Sequence, residues 1–169
     1  FKAAGETIIL VGETAGHLGQ SLFLREIEGR EDGPPPPVDL ETEKRNGDFV
    51  RGLIRAGDVT ACHDVSDGGL LVTITEMALS GNIGATIQVP ETDTPAHAWL
   101  FGEDQARYVT TTPDAESLLA AAEKAGVPAM QIGLTGGEGL SLIGGAGETA
   151  LSVLRDTNDG WLPAFMGDA

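Results

Sequence analysis

The chain has 169 residues, of which 41% are hydrophobic and 21% charged, and it carries a formal net charge of −16. That length fits one domain, or at most two small ones, and buries roughly 70% of the surface the unfolded chain exposes, so folding requires neither a disulfide nor a metal. The charge excludes nucleic acid as a main partner, because that needs a basic footprint, and it disfavours an anionic membrane surface.

The run TIILV at residues 7–11 reads as a buried strand. A glycine-punctuated turn follows from Gly12 to Gly19, then a short helical segment over 21–27. Residues 28–37 contain four consecutive prolines and are expected to form an exposed polyproline-type loop. Asp39 caps a helix to about Ala56, closed by Gly57, with Val50, Leu53 and Ile54 on its apolar face.

The next strand covers 59–62. A sharp turn over 63–67 delivers the chain into a helix over 68–79, ended by Gly81, and a third strand spans 84–89. After the segment 99–102 comes a strand over 106–111. Asp114 caps a helix to Ala125, closed by Gly126. Residues 130–134 and 140–143 look like a pair of strands joined by the turn 135–139, and the glycine-rich run 144–147 reads as loop punctuation. A final helix is expected from Thr149 or Ala150, with Leu151 and Leu154 on its buried side and the segment 161–163 packing the tail. About six strands interleaved with helices predict an α/β (α+β) fold, a mixed sheet covered by helices.

Cys62 is the only cysteine, which rules out an internal disulfide and an all-cysteine zinc site and points to a reducing cytoplasm. No signal peptide, long apolar run or lipidation motif is present. The sequence opens at Phe1 without Met and enters a strand by Thr7. Residues 1–169 are therefore expected to be one α/β domain cut from a longer multidomain chain.

The densest constellation is His63-Asp64-Val65-Ser66-Asp67-Gly68-Gly69-Leu70. Gly68 and Gly69 allow close approach to the backbone, and the helix start offers unpaired amides that suit a phosphate. Asp64 and Asp67 suit Mg²⁺, since hard cations take carboxylate oxygens. The competing structural role is capping, by Ser66 or Asp67. Cys62 reads as a small buried hydrophobe. His63 lacks a second histidine at ligand spacing, so no catalytic residue is assigned.

A second constellation is Phe101-Gly102-Glu103-Asp104-Gln105-Ala106-Arg107. Gln105 and Arg107, two apart on a strand, share a face, and the planar fork of Arg107 suits a carboxylate or phosphate. An ion pair from Arg107 to Glu103 or another acid is the structural alternative. The glycines of 12–21 match neither the Walker A pattern nor the dinucleotide fingerprint.

Read together, HDVSDGGL at 63–70, FGEDQAR at 101–107 and the Gly12-Glu13 turn resemble the C-terminal domain of formylglycinamide ribonucleotide amidotransferases (phosphoribosylformylglycinamidine synthases), in the aminoimidazole ribonucleotide synthetase-like superfamily. The resemblance implies an ATP-dependent carbon–nitrogen ligase of purine biosynthesis that uses Mg²⁺. It takes a phosphorylated small-molecule substrate and works with the other domains of its polypeptide and a glutaminase domain or subunit. It also implies that the catalytic base and most metal ligands lie outside these residues. Asp64, Ser66, Asp67, Gly68, Gly69, Glu103, Gln105 and Arg107 are then candidate ligand or nucleotide contacts. Two departures stand out: Asp104 replaces the usual Ser, and Gln20 and Leu22 replace a Gly and a Glu. The alternatives are a sibling such as selenophosphate synthetase, and a non-catalytic docking module.

Overall fold

The computed structural model describes residues 1–143 and 147–167; Gly144, Gly145 and Ala146 of the expected glycine loop lie outside them. Among the described residues seven strands form one mixed sheet. They are β1 (Thr7–Val11), β2 (Ala61–Asp64), β3 (Ala85–Ile87), β4 (Tyr108–Thr112), β5 (Ala129–Thr135), β6 (Gly139–Leu142) and β7 (Glu148–Ala150). Their order across the sheet is β2-β4-β1-β5-β3-β6-β7. Every pairing is antiparallel except β3 with β6.

β1 is the centre. Ile8, Ile9, Leu10 and Val11 are all fully buried, which explains an unbroken apolar run where a half-exposed strand would alternate. Ile8 and Leu10 face one layer of helices, and Ile9 and Val11 face the other. The second layer holds α2 (Leu40–Ala56) and α5 (Ala115–Ala125), packed through Val50, Leu53 and Leu118. The first holds α3 (Gly69–Gly81), α4 (Ala96–Phe101) and the start of α6 (Leu151–Met166), packed through Leu70, Ile74, Trp99 and Leu151. α1 (Leu22–Glu26) is a short turn of helix over the loop side.

The local signals work as physical chemistry requires. Asp39 accepts from the amides of Glu41 and Thr42, and Asp114 from that of Ser117, while Gly57 and Gly126 close their helices in the left-handed conformation. Ser21 caps α1 through the Leu24 amide. Ile54, expected inside, is half exposed.

The expected pairing of residues 130–134 with 140–143 is wrong. β3 is inserted between β5 and β6, pairing Thr86 with Leu134 on one side and with Ser141 on the other. Gly84 holds the insertion open. Its carbonyl accepts from Gly136, its amide donates to Gly137, and a Cβ there would sit 2.2 Å from the Gly139 oxygen. A side chain at 84 would force the backbone of Gly136 or Gly139 to shift.

Three further expectations need correction. β7, a short polar strand, precedes α6 where only helix was expected. Strand β2 reaches Asp64, so His63 and Asp64 belong to the sheet edge and the turn begins at Val65. The tail segment 161–163 does not pack: Trp161 is 63% exposed and Phe165 72%, and they stack on each other outside the core.

Candidate functional site

The turn from β2 into α3 lies against the loop that leads from α4 into β4, so the two constellations meet. The helix cap is Gly68, with no side-chain cap bond, and not Ser66 or Asp67. The Gly68 amide donates instead to Glu103 Oε1 at 2.8 Å. The same oxygen accepts from the Leu22 amide at 2.9 Å, so one carboxylate serves the starts of both α1 and α3. The Gly69 amide is taken by the Ser66 carbonyl at 3.0 Å. An anion already stands at Gly68, and it belongs to the protein.

Gly68 and Gly69 are buried and both have positive φ, 80° and 73°. A Cβ on Gly69 would lie 2.6 Å from the Phe101 carbonyl carbon and 2.7 Å from the Gly102 oxygen. Gly69 is therefore required by the close crossing of α3 over the end of α4. Ser66 and Asp67 lie exposed at the rim of the turn.

In the 103–107 loop each side chain takes a different direction. Asp104 is buried and accepts from the amides of Gly16 (2.9 Å) and His17 (3.2 Å), so this carboxylate points inward and fixes the loop after β1. Arg107 is 1% exposed. Its guanidinium donates to Thr14 Oγ1 at 3.1 Å and to the carbonyls of Asp104 and Gly102, and it stands 3.8 Å from Asp104 Oδ2. Burial pulls the guanidinium below its ordinary value, and the Asp104 charge opposes that. The ion pair expected for Arg107, with Glu103 or another acid, thus forms with Asp104, and its donors face the interior. Gln105 alone is exposed among these residues. It does not share a strand face with Arg107, because Ala106 between them has φ 58° and β4 begins only at Tyr108.

Gln105 lines a cleft of about 350 Å³ with Glu13, Thr42, Arg45 and Ala106, between the loop after β1 and the N-terminal half of α2. A second cleft of about 640 Å³ lies at the β2 edge, lined by Cys62, His63, Glu76 and Ser80 among others. There His63 Nδ1 contacts the Asp64 carbonyl at 2.7 Å, and its Nε2 is 3.6 Å from Glu76. Burial pushes the Cys62 thiol up to about 11, which makes it a poor nucleophile and a poor metal ligand at neutral pH. Among the described residues no three His, Cys, Asp or Glu side chains gather as a metal site. Asp64 and Asp67 both lie exposed, and neither belongs to a three-ligand cluster among the described residues.

The structure thus joins Ser66, Asp67, Gly68 and Glu103 at one turn and sends Gln105 to a neighbouring cleft. It keeps Asp64 at the sheet edge and Arg107 inside. Sequence reasoning missed Glu43 and Asn46, which grip this loop from α2. Asn46 lies on the buried face of its helix, with Val50 and Leu53, and a polar residue in that apolar stripe was the available signal.

The model of the family described as AIR synthase related protein, C-terminal domain, matches residues 3–144. The chain belongs to that family. Among curated relatives, the phosphoribosylformylglycinamidine synthase subunit PurL of Parvibaculum lavamentivorans is 57% identical over 98% of this chain and 23% of its own length. The protein of the same name from Rhodopseudomonas palustris strain TIE-1 is 59% identical over 99% of the chain and 23% of its own. The chain therefore spans about a quarter of the length of these relatives. Of solved structures, T. maritima PurL complexed with FGAR superposes with TM-score 0.73 at 21% identity, over 90% of this chain and 28% of that one. The PurLQS structure from Thermotoga maritima gives 0.66 at 20% identity, over 89% and 26%. At that identity the likeness shows the fold of this AIR synthase-related domain.

Proposed function

We propose that this chain is the C-terminal domain of a phosphoribosylformylglycinamidine synthase. That ATP-dependent ligase converts formylglycinamide ribonucleotide, ATP and glutamine-derived ammonia to formylglycinamidine ribonucleotide, ADP and phosphate. The observation that carries this is identity of 57% and 59%, over almost the whole chain, to proteins of that name. The T. maritima structures with FGAR and ATP support the substrate and the nucleotide, and PurLQS supports companion subunits, among which we place the glutaminase. The cytoplasm is the compartment consistent with a single reduced thiol, and no described helix is long and apolar enough to cross a membrane. Mg²⁺ belongs to the proposed reaction, and no step is routed through the carboxylates described above.

Within that enzyme the Gly68-Gly69 turn is a structural joint, because Glu103 occupies the amide that a phosphate would use. Asp64, Ser66, Asp67 and Gln105 are the candidate side chains that stay exposed, and of these Gln105 lines the cleft beside α2. The test is an assay of the full-length protein for ADP release dependent on formylglycinamide ribonucleotide and ammonium, alongside the 169-residue chain alone. Turnover by the full-length protein and none by the isolated chain is the expected result. ADP release by the isolated chain, or indifference of the full-length protein to this ribonucleotide, would overturn it.

A further inference from the structure

Ala106 is one of three non-glycine residues with positive φ among the described residues, at 58°. For an L-residue that conformation costs about 1–2 kcal/mol, so something must hold it. Both of its backbone polar groups are gripped by one helix. Its amide donates to Glu43 Oε1 at 2.9 Å, and its carbonyl accepts from Asn46 Nδ2 at 2.9 Å. Glu43 and Asn46 are three apart on α2 and so stand on one face, a turn from each other. Asn46 is fully buried, and α2 is anchored below by Val50 and Leu53, so the grip comes from a rigid element. The left-handed residue turns the chain so that Arg107 enters the core and Gln105 stays at the 350 Å³ cleft.

We propose that Glu43 and Asn46 are positioning residues: by clamping Ala106 in the left-handed conformation they present the Gln105 amide to a ligand in the cleft. The ligand half of this rests on the function proposed above, and the clamp half does not. With Ala106 released, the loop would relax toward negative φ and Gln105 would swing off the cleft.

The experiment uses the full-length protein and the variants Glu43→Ala, Glu43→Gln, Gln105→Ala and the pair Glu43→Ala with Gln105→Ala. Hydrogen exchange at the Ala106 amide reads the clamp. KM for formylglycinamide ribonucleotide and for ATP, with kcat, reads the presentation. Glu43→Ala is expected to speed exchange at Ala106 about tenfold and to raise one KM about tenfold with little change in kcat. Glu43→Gln keeps an oxygen acceptor and should restore both. The pair should be no worse than Gln105→Ala alone, which a general loss of stability would not produce. Unchanged exchange at Ala106 in Glu43→Ala overturns the clamp. Fast exchange with no KM effect from Gln105→Ala overturns the ligand role of Gln105 and leaves the clamp standing. Additive effects in the pair overturn action through Gln105.

Discussion

Glu103 and Gly68 lie 35 residues apart in sequence and are joined carboxylate to amide at 2.8 Å. The same oxygen holds the Leu22 amide, so two helix starts lean on one side chain. Glu103→Ala leaves both amides without this acceptor and should cost about 1–3 kcal/mol, read as a lower urea midpoint. Glu103→Gln keeps an oxygen there and should lose less than half as much. Equal losses from the two would show that charge, and not the hydrogen bonds, holds the joint.

Gly69 offers a test of whether the glycine pair serves packing. Gly69→Ala meets backbone atoms of Phe101 and Gly102 below 3 Å at φ 73° and should destabilise by about 2–4 kcal/mol. Gly160, inside α6 with nothing within 4 Å, is the control of opposite sign. Gly160→Ala should stabilise by about 1 kcal/mol. Thermal unfolding of both variants decides it.

Ala106→Gly removes the left-handed penalty while leaving both backbone hydrogen bonds possible. It should raise stability by about 1 kcal/mol, measured as an increase in Tm. A fall would mean that the methyl group, not the backbone angle, is what the cleft wall needs.

The Cys62 thiol is raised to about 11 by burial first and by the Asp64 charge second. At pH 8 its thiolate fraction is then about 10⁻³, and a disulfide reagent should label the folded protein far more slowly than the urea-unfolded chain. Because the folded value lies above the unfolded one of about 8.5, this group's stabilising contribution is complete below that pH. It is lost as pH rises toward 11. Cys62→Ala should flatten that part of the stability–pH curve, and an unchanged curve would refute the linkage.

What could be read before any coordinates were those features carried by neighbouring residues. Asp39, Asp114, Gly57 and Gly126 mark helix ends through contacts within a turn, and the run at β1 declares a strand buried on both faces. Glu103 as the partner of Gly68 was not legible, since nothing local in either segment encodes a bond across 35 residues. Arg107 misled for the same reason: its pattern suits a ligand, and only the fold shows Thr14 and Gly102 surrounding it. The exposed stack of Trp161 on Phe165 ran against the ordinary rule that large aromatics pack inside.

The position of β3 between β5 and β6 shapes how the chain reaches its native state. The segments of β5 and β6 are close in sequence and carry a glycine-rich connection, so they are quick to close on each other as a hairpin. That hairpin leaves no slot for Ala85–Ile87, whose partners lie in both of its arms. Refolding molecules that take the quick route must reopen before they can finish. A hairpin closed early is thus expected to act as a kinetic trap, read as a slow phase in stopped-flow refolding, while the productive route captures β3 from both sides.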